Sequence, residues 1–496
     1  MGPRTLSGTS SMRILQVASE AVPVCKTGGL ADVVTALSAA LVDADHEVVV
    51  LLPAYRGVFD RVEATPMFEL GDPLGLGHTT RLWSARLPDT QATAWLLQCD
   101  PLFDRIGGPY GDDAGIDWPD NHLRFALLAR AAAQLALASP TFGRAIDVVH
   151  AHDWQAALAT AYLAWWGVGR PATVFTVHNL HFTGRFPASI LPEIGAPASA
   201  WSPKDLEFYR EASFLKAGLV HADRITTVSP TYADEIRTAA GGIGFDGLLR
   251  WRGGAVRGVL NGIDTRTWNP ATDPALGVPY DLDHLAGKAA ARLGLQSELG
   301  LAPQNTAPVF GVVSRLTWQK GIDLFLAASA AVLAEGAQLV ILGSGEPALE
   351  LAVAELAAAH PGRVAVRRGY DEGLSHRIFA GADLLCVPSR FEPCGLTQLY
   401  AMRYGTPPVV RNTGGLADTV ADDDARPGAG TGFVFDPPTA EGCAQAMLRA
   451  CAAWRDTSRF SALQRRAMTQ RHDWSASAGV YLDIYREAIA SRGVRG

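Results

Sequence analysis

Long apolar runs are missing from this chain of 496 residues. No stretch of about 18 residues is both apolar and without charge, so we expect no membrane span and no membrane partner. Residues 1–11 are polar and lack the apolar core of a signal peptide, so we expect a disordered leader there. These features together predict a cytoplasmic protein.

The chain also has few cysteines and no excess of positive charge. The six cysteines are scattered and form no C-x-x-C pair or His/Cys cluster with metal-ligand spacing, so we expect reduced thiols. The formal net charge of −7 provides no broad basic surface, which argues against a nucleic-acid partner.

Two common nucleotide-binding motifs are absent. The sequence contains no G-x-x-x-x-G-K-[ST] phosphate loop, and G-x-G-x-x-G is missing from the first strand–helix turn. Gly343–Gly345 (GSG) is only a fragment of the second motif, since the residue three positions after it is Ala348. These absences argue against a P-loop nucleotidase and against an NAD-dependent enzyme.

Clusters that would suggest a metal ion are weak. Asp-x-Asp tripeptides lie beside predicted helices, where solvated charge or an N-cap explains them, at Asp43–Asp45, Asp281–Asp283 and Asp422–Asp424. His150 and His152 stand two residues apart with one neighbouring carboxylate, Asp153, which is weak spacing for metal ligands. We therefore predict no metal site, and a hydrogen-bonding role for Asp153.

Short strand-like runs alternate with longer helix-like runs, in two series. Continuous Val/Ile/Leu runs predict strands covered on both faces, and their alternation with helices predicts doubly wound parallel sheets. The first series is Met12–Ala18, Glu47–Leu52, Ile146–His150, Ala172–His178 and Ile225–Ser229. The second series is Pro308–Ser314, Gln338–Leu342, Val364–Arg367, Leu384–Pro388 and Pro408–Arg411.

The length of the chain predicts two domains, because it exceeds what one core usually supports. The break between the two series falls around Asn261–Leu301, where Asn261 and Gly262 form a strong turn signal and Thr267–Pro279 carries Pro and Gly without clear periodicity. We therefore predict an N-terminal domain over residues 12–262 and a C-terminal domain over 263–473. Residues 474–496 begin with apolar side chains at helical spacing, which predicts a C-terminal helix.

The hexapeptide Thr-Gly-Gly-Leu-Ala-Asp occurs twice, at Thr27–Asp32 and Thr413–Asp418. Each copy lies between a strand-like run and a helix-like run. Glycines at such a junction let the backbone approach a ligand, and the unpaired N–H groups of a helix N-terminus favour an anion. Two copies, one near each end of the chain, suggest two domains that face one phosphorylated ligand.

Charged side chains follow the predicted strands. Lys26 precedes the first hexapeptide, and Arg315 and Lys320 follow the first strand of the second series, where two cations can neutralise a diphosphate without a metal. A solvated pair at a helix start is the alternative for Arg315 and Lys320. Glu392 follows another strand, where it either accepts hydrogen bonds from sugar hydroxyls or is an exposed loop glutamate.

Seven segments together resemble a known family. The chain is similar to the bacterial glycogen synthases and plant starch synthases of glycosyltransferase family 5, and the resemblance runs in order from about Met12 to the C-terminal helix. It rests on Lys26–Leu30 (KTGGL), Ala151–Trp154 (AHDW), Thr176–Asn179 (TVHN), Asn261–Asp264 (NGID), Ser314–Lys320 (SRLTWQK), Ser389–Gln398 (SRFEPCGLTQ) and Thr413–Thr419 (TGGLADT).

The resemblance implies an α/β protein of the GT-B fold, with two Rossmann-like, doubly wound parallel-sheet domains that face a central cleft. It implies that the C-terminal helix packs back on the N-terminal, acceptor-side domain, and that the C-terminal domain binds the nucleotide sugar. The implied reaction is the retaining transfer of glucose from ADP-glucose to the non-reducing 4-hydroxyl of an α-1,4-glucan such as glycogen, with no cofactor and no metal.

The resemblance also implies roles for residues of the C-terminal domain. Arg315 and Lys320 bind the diphosphate and stabilise the departing ADP. Glu392 holds hydroxyls of the donor sugar, and Tyr370 stacks against the adenine. Backbone amides of Gly414 and Gly415 bind the diphosphate, and Thr413 beside them is a further substrate-binding residue.

Residues of the N-terminal domain receive roles in the same way. Lys26 and the amides of Gly28 and Gly29 hold the phosphate or the sugar. His178 lies beside the reacting carbon, where its backbone carbonyl stabilises positive charge on the sugar. Three further residues orient the donor sugar or lie at the cleft floor: Asp153, Asn179 and Asn261.

Retention usually indicates a carboxylate nucleophile, and the sequence offers no residue for that role. A same-face mechanism, in which a phosphate oxygen of ADP deprotonates the acceptor, is the implied alternative. Two positions depart from related retaining transferases. Tyr400 stands where many carry a second glutamate, which fits the glycogen synthase subgroup, and His181–Thr183 (HFT) is an unusual tripeptide that puts acceptor contacts in doubt.

Other functions remain open at this point. The same fold serves transferases with another donor, such as UDP-glucose, or with a small maltooligosaccharide phosphate as acceptor. A non-catalytic glucan-binding protein, a nucleotide-sugar epimerase and a pyridoxal-dependent phosphorylase are alternatives of other classes. Intact Lys26, Arg315, Lys320 and Glu392 argue against the first of these, and no lysine is an evident anchor for pyridoxal. The sequence does not indicate which oligomeric state the protein has.

Overall fold

Two sheets organise the chain, each in its own compact unit. The structure is a computed structural model that describes residues 11–88, 90–138, 143–167 and 169–493. The first unit comprises Met1–Val228, Ala233–Gly262 and Trp474–Gly496, and the second comprises Ser229–Tyr232 and Ile263–Asp473. Residues 1–10 of the expected disordered leader lie outside the described residues.

The first unit contains the following elements. Its strands are β1 (Arg13–Val17), β2 (Glu47–Pro53), β3 (Ala64–Gly71), β4 (Thr80–Arg86), β5 (Thr93–Gln98), β6 (Val148–His152), β7 (Ala172–Val177), β8 (Arg185–Pro187), β9 (Glu207–Phe208), β10 (Glu211–Ser213), β11 (Arg224–Thr227) and β12 (Val256–Gly258). Its helices up to the domain boundary are α1 (Gly29–Asp43), α2 (Asp100–Phe103), α3 (Asn121–Ala138), α4 (Asp153–Trp166), α5 (Phe214–His221), α6 (Pro230–Glu235) and α7 (Asp246–Arg252). The first residues of α6 belong to the second unit.

The second unit follows in the chain. Its strands are β13 (Val309–Val313), β14 (Gln338–Gly343), β15 (Val364–Arg368), β16 (Leu384–Val387), β17 (Pro408–Arg411) and β18 (Phe433–Phe435). Its helices are α8 (Ala286–Glu298), α9 (Ile322–Ala334), α10 (Pro347–Ala359), α11 (Glu372–Gly381), α12 (Thr397–Arg403), α13 (Gly414–Thr419), α14 (Ala440–Arg455) and α15 (Thr457–Met468), and α16 (Trp474–Gly493) returns to the first unit.

The main sheet of the first unit has nine strands in the order β12-β11-β7-β6-β1-β2-β5-β4-β3. Seven of them pair in parallel from β12 to β5. Five of these seven were predicted from the continuous apolar runs, and β5 and β12 were not. The chain proceeds from β1 to β2 on one side and reaches β6 on the other, so the direction of winding reverses between β1 and β6. Ligands bind at such a reversal in doubly wound sheets.

One edge of this sheet differs from the predicted parallel pattern. Strands β3 and β4 pair antiparallel, as do β4 and β5. Most residues of β3 are exposed, and buried and exposed residues intermix along β4, because this edge is only partly covered. Continuous apolar runs therefore do not reveal either strand. The short three-stranded sheet β8-β10-β9 also lacks such runs and was not predicted.

Helix α16 packs into the core of the first unit. Trp474, Tyr481 and Tyr485 are buried there in one hydrophobic cluster with Ile14 of β1 and Val174 of β7. The aromatic rings of this helix therefore supply part of the apolar cover for the parallel strands.

The second unit has a six-stranded, fully parallel sheet in the order β15-β14-β13-β16-β17-β18. All five strands predicted for this half are present. The sixth, β18, has only three residues, which is too short for a periodicity signal. The chain winds outward from β13 to β15 and then returns to β16 beside β13, so the reversal lies between β13 and β16.

A buried lysine joins three parts of the second unit. Lys288 of α8 donates hydrogen bonds to the carbonyls of Ala380 at 2.9 Å and Tyr404 at 3.1 Å, and to the hydroxyl of Thr406 at 2.6 Å. The two carbonyls lie at the C-terminal ends of α11 and α12, where helix carbonyls lack intrahelical partners and a cation is favourable. Lys288 therefore caps both helices.

We expect Lys288→Met to destabilise the second unit by about 3 kcal/mol, because it leaves buried carbonyls without a donor. Calorimetric unfolding of this variant measures the effect. The matched control is Lys204→Met, which removes a lysine from an exposed position. Equal unfolding temperatures for the two variants would contradict the capping role.

Candidate active site

Three loops of the second unit meet at the carboxyl ends of adjacent strands. They follow β13, β16 and β17 and contain most of the predicted residues of this half. The loops after β13 and β16 are joined by the amide of Arg390, which donates to the carbonyl of Gln319 at 2.8 Å. The guanidinium of Arg390 also holds the carboxylate of Asp323 at 2.6 Å, which ties the loop to α9.

Lys320 and Glu392 form an ion pair in this group. The ammonium of Lys320 lies 2.5 Å from Oε2 of Glu392. Gly321 makes this approach possible, since it has a left-handed φ of 66° and a Cβ on it would lie 2.0 Å from the carbonyl of Pro388. Any side chain at that position would push the two loops apart. The local backbone therefore places the cation beside the carboxylate.

The carboxylate of Glu392 is buried, with 6% of the residue exposed. Oε2 also accepts a hydrogen bond from Oγ of Ser389 at 2.9 Å. Both of these contacts use the same oxygen, so the second oxygen remains the acceptor available to a ligand. The sequence did not single out Ser389, whose role depends on a contact within the folded loop.

Arg315 and Tyr370 are the more exposed members of the predicted set. The guanidinium of Arg315 makes one long contact of 3.5 Å with Oε1 of Gln319, the residue before Lys320. Tyr370 follows β15 with 71% of its surface exposed, and its hydroxyl donates to Oε2 of Glu372 at 2.6 Å. The ring of Tyr370 therefore presents a large accessible face.

The second glycine pair packs closely against the loop that contains Glu392. The amide of Gly415 donates to the carbonyl of Glu392 at 3.0 Å, so this N–H is engaged within the protein. A Cβ on Gly414 would lie 2.0 Å from the same carbonyl, and one on Gly415 would lie 2.0 Å from the carbonyl of Cys394. The glycines bring the loop from Thr413 against the backbone of Glu392–Cys394. The Gly415 amide thus helps to position the Glu392 loop, and phosphate binding by Gly414 and Gly415 stays a prediction.

The first glycine pair lies in a different environment. Gly28 precedes α1 in extended conformation, and a Cβ on it would meet no atom within 4 Å. Lys26 lies beside this loop, with its ammonium 2.9 Å from Oδ1 of Asp32. Gly28 and Gly29 are both exposed. The surface above this helix start is therefore open, as an anion site requires.

The two copies of the hexapeptide thus predict opposite results for the same substitution. We expect Gly414→Ala to destabilise the second unit, because Gly414 has a left-handed φ of 43° and leaves no room for a Cβ. We expect Gly28→Ala to leave the unfolding temperature nearly unchanged. Thermal unfolding measures both variants. A decrease in unfolding temperature for Gly28→Ala as large as that for Gly414→Ala would contradict this account of the first copy.

Glu20 and Tyr110 support the first glycine loop, and sequence reasoning missed both. The carboxylate of Glu20 accepts hydrogen bonds from the amide of Thr27 at 2.5 Å and from its hydroxyl at 2.7 Å. The hydroxyl of Tyr110 also donates to Glu20. Glu20 is only 2% exposed, and a glutamate so soon after the buried strand β1 was the signal available in the sequence.

Asp153 and His178 are in contact at the ends of β6 and β7. Oδ1 of Asp153 accepts the amide hydrogen of His178 at 2.7 Å. Asp153 has a left-handed φ of 55°, which is strained for a residue with a side chain. Burial raises the pKa of Asp153 to about 7, although backbone hydrogen bonds from His178 and Asn179 oppose the shift. The predicted hydrogen-bonding role of Asp153 is confirmed.

Asn179 and Asn261 complete the predicted set of the first unit. The side-chain oxygen of Asn179 accepts the amide hydrogen of His181 at 3.1 Å, which shapes the turn after β7. Asn261 is buried at 5% exposure, and its Oδ1 has no hydrogen-bond partner in the described part of the chain. A buried carbonyl oxygen without a donor is costly unless a ligand or water supplies one.

His150, His152 and His178 form a row of imidazoles without a metal-ligand arrangement. Over the described ranges, no three His, Cys, Asp or Glu side chains are grouped to hold an ion. Nδ1 of His150 contacts the hydroxyl of Tyr485 at 2.8 Å, and Nε2 contacts that of Thr176 at 2.6 Å. Nδ1 of His152 lies 3.0 Å from Nε2 of His178. Burial lowers the pKa of His150 and of His178 to about 3, so both are neutral at pH 7.

These histidines predict lower stability in acid. Their folded pKa values lie below the ordinary value of 6.5, so the unfolded chain binds more protons between about pH 6.5 and 3. The stability they contribute is complete above pH 6.5 and is lost as pH falls through that window. Asp153, with its raised pKa, opposes the effect of one histidine between about pH 7 and 4.

We therefore expect the unfolding temperature to fall between pH 7 and 5. His150→Gln should reduce the slope, because one fewer proton is taken up on unfolding. Thermal unfolding across that pH range measures both, and the control is His284→Gln, which removes an exposed histidine. A His150→Gln slope equal to that of the wild type would contradict the assignment.

Comparisons with known proteins agree over nearly the full chain. Residues 13–251 match the family described as starch synthase catalytic domain, and residues 300–465 match glycosyl transferases group 1. A glycogen synthase of Halorhodospira halophila is 48% identical over 97% of this chain and 100% of that relative. One from Rhodospirillum rubrum is 48% identical over 96% of this chain and 99% of that relative. The chain belongs to the glycogen and starch synthase family.

Solved structures confirm the fold of this glycosyltransferase. The catalytic domain of starch synthase IV from Arabidopsis thaliana, bound to ADP and acarbose, matches with a TM-score of 0.87 and 31% identity, over 97% of this chain and 100% of that one. Sucrose-phosphate synthase from Thermosynechococcus elongatus matches with a TM-score of 0.60 at 20% identity, over 97% of this chain and 100% of that one, which shows the fold alone. The predicted α/β GT-B class with two Rossmann-like units is confirmed. In the described residues no helix is long and apolar enough to cross a membrane.

Proposed function

We propose that this glycosyltransferase elongates an α-1,4-glucan by transferring glucose from ADP-glucose to the non-reducing 4-hydroxyl, with retention of the α configuration. The similar starch synthase bound to ADP and acarbose carries the proposal, because it matches 97% of this chain. The ADP bound to that starch synthase supports ADP-glucose as the donor. The glycogen synthases among the relatives support glycogen as the acceptor.

The second unit supplies the contacts with the nucleotide and its leaving phosphate. Arg315 and Lys320 provide two positive charges within one loop, which stabilise the negative charge that develops on ADP. Lys320 has three N–H donors and uses one of them for Glu392, so the others can reach a phosphate oxygen. The exposed face of Tyr370 provides the stacking surface for adenine.

Glu392 holds the donor sugar through its second carboxylate oxygen. A carboxylate can accept hydrogen bonds from two neighbouring hydroxyls, which fixes the orientation of the ring. The loop from Thr413, braced by Gly414 and Gly415, keeps this carboxylate in place. The role of the glycine pair in the reaction is therefore to position Glu392.

The first unit supplies a second set of proposed contacts with oxygen atoms of the substrates. Lys26 and the open amides of Gly28 and Gly29 contact a phosphate or sugar oxygen at the start of α1. Asp153 holds the backbone of His178 next to the reacting sugar, where the His178 carbonyl stabilises positive charge. Asn179 and Asn261 contribute amide groups to the donor sugar.

The charge balance of this site does not call for a metal. Arg315 and Lys320 can neutralise a diphosphate directly. We assign no side chain as a covalent nucleophile, because Asp153 is already engaged with backbone amides and Glu392 with Lys320. The departing phosphate oxygen is then the base that takes the proton of the acceptor hydroxyl on the same face.

Donor competition tests the proposal. Purified protein is given glycogen and labelled ADP-glucose, with EDTA present, and unlabelled ADP-glucose or UDP-glucose is added in excess. The proposal predicts label in glycogen that ADP-glucose suppresses strongly and UDP-glucose weakly. Suppression by UDP-glucose as strong as that by ADP-glucose would contradict the assigned donor, and incorporation that occurs only when EDTA is omitted would contradict a metal-independent reaction.

A further inference from the structure

A continuous chain of hydrogen bonds leads from helix α1 to His178. The hydroxyl of Ser38 donates to the carbonyl of Val34 at 2.7 Å, and Nε2 of Gln16 donates to Ser38 Oγ at 2.9 Å. Oε1 of Gln16 then lies 3.0 Å from Nε2 of His152, and Nδ1 of His152 lies 3.0 Å from Nε2 of His178. Every member except His178 is fully buried.

The first link fixes the position of every proton that follows. Ser38 has one hydroxyl proton, and it is used on the Val34 carbonyl, so its oxygen can only accept from Gln16. The side-chain NH₂ of Gln16 therefore faces Ser38, and its carbonyl oxygen faces His152. Since that oxygen is an acceptor, Nε2 of His152 must carry the proton.

The same logic continues to His178. A neutral His152 with its proton on Nε2 has a bare Nδ1, which accepts from Nε2–H of His178. Burial lowers the pKa of His152 well below its ordinary value, which agrees with one proton per ring. The proton of His178 is therefore on Nε2, and its Nδ1 carries a lone pair.

Reversing the chain is unfavourable. If Ser38 donated to Gln16 instead, no proton would lie between Ser38 Oγ and the Val34 carbonyl, two oxygens 2.7 Å apart. One hydrogen bond would be lost, and two acceptors would repel each other in a buried site.

We propose that Gln16 and His152 are positioning residues that hold His178 in the Nε2–H form, so that its Nδ1 accepts a hydrogen bond from a hydroxyl of the bound sugar. This inference rests on the proposed function for the identity of the ligand. In the described part of the chain no group hydrogen-bonds Nδ1 of His178. His152 thus holds the ring of His178, and Asp153 holds its backbone.

The test is ¹⁵N NMR of the histidine rings in the protein without substrate, combined with kinetics. Protonated and bare ring nitrogens have widely separated ¹⁵N shifts, and a His178→Asn sample assigns the signals. The wild type should show His178 with the proton on Nε2 alone. Gln16→Met removes the acceptor for His152 and should give a mixture of the two forms, with kcat lowered about tenfold, as expected for one lost hydrogen bond to the sugar.

The matched control is Tyr485→Phe, which breaks a buried hydrogen bond to His150, a ring outside the chain. It should leave the His178 signals and kcat unchanged. Ser38→Ala is a second variant in case Gln16→Met does not fold, and it should loosen Gln16 and give a smaller fraction of the alternative form. A wild-type proton on Nδ1, or unchanged His178 signals in Gln16→Met and Ser38→Ala, would overturn the proposal. Because the NMR needs no turnover, failure of the donor assignment would be seen separately.

Discussion

Lys320→Ala is expected to lower kcat with ADP-glucose by about a hundredfold or more, with the fold unchanged. Removing one preorganised charge that stabilises a leaving group typically has this effect. Lys320 is well placed for it, since its ammonium is held by Glu392 at 2.5 Å and Gly321 fixes its backbone. The charge is therefore oriented before the donor binds, and little reorganisation is needed in the transition state.

Steady-state rates of ADP release with glycogen measure the loss. Arg377→Ala is the matched control, because it removes a cation of the same unit that pairs with Glu298 away from these loops. It should retain nearly wild-type kcat. A Lys320→Ala enzyme within about threefold of Arg377→Ala would contradict the leaving-group role.

Glu392→Gln is expected to reduce kcat/KM by a similar factor of about a hundred. The amide keeps the size of the side chain, but it loses the charge that pairs with Lys320 and one of the two acceptor oxygens. The donor sugar would then be less well oriented, and Lys320 would lose its fixed position. Both effects act on the same reacting bond.

The control for Glu392 is Glu298→Gln, a glutamate of the second unit with an arginine partner on the surface. Kinetics with ADP-glucose are compared at equal folded fraction, checked by thermal unfolding. A double variant with Lys320→Ala separates the two roles, since paired residues give less than the sum of their single effects. If the two substitutions lowered kcat/KM by fully additive free energies, the coupling between Lys320 and Glu392 would be contradicted.

The parallel strands could be predicted because burial on both faces leaves a direct mark in the sequence. A short, nearly continuous apolar run such as Glu47–Leu52 is typical of a strand covered by helices on each side. The edge strands β3 and β4 carry no such mark, because exposed edge positions accept almost any residue. The pattern of burial, more than strand propensity, was what the sequence revealed.

The glycine pairs show where local sequence stops being informative. Both copies have the same six residues, but Gly28 faces open space and Gly414 faces the carbonyl of Glu392. In the second copy the contact comes from the loop after β16, which is distant from Gly414 along the chain. An identical motif therefore does not establish an identical contact.

The hydrogen-bond chain to His178 could not be predicted for a related reason. Gln16, His152 and His178 lie on β1, on β6 and just after β7, and only the strand order brings these positions side by side. In the sequence His152 was considered only as a metal ligand, and we predicted no metal site there. The structure instead gives each of its nitrogens a hydrogen-bond partner.

The most direct test of the central claim follows the transferred glucose itself. Labelled ADP-glucose is incubated with glycogen and the protein, and the product is digested with an exo-acting β-amylase, which releases maltose from non-reducing α-1,4 ends. The account predicts that nearly all label is released as maltose. Label that resists digestion, or label that never enters glycogen, would contradict transfer to the non-reducing 4-hydroxyl with retention.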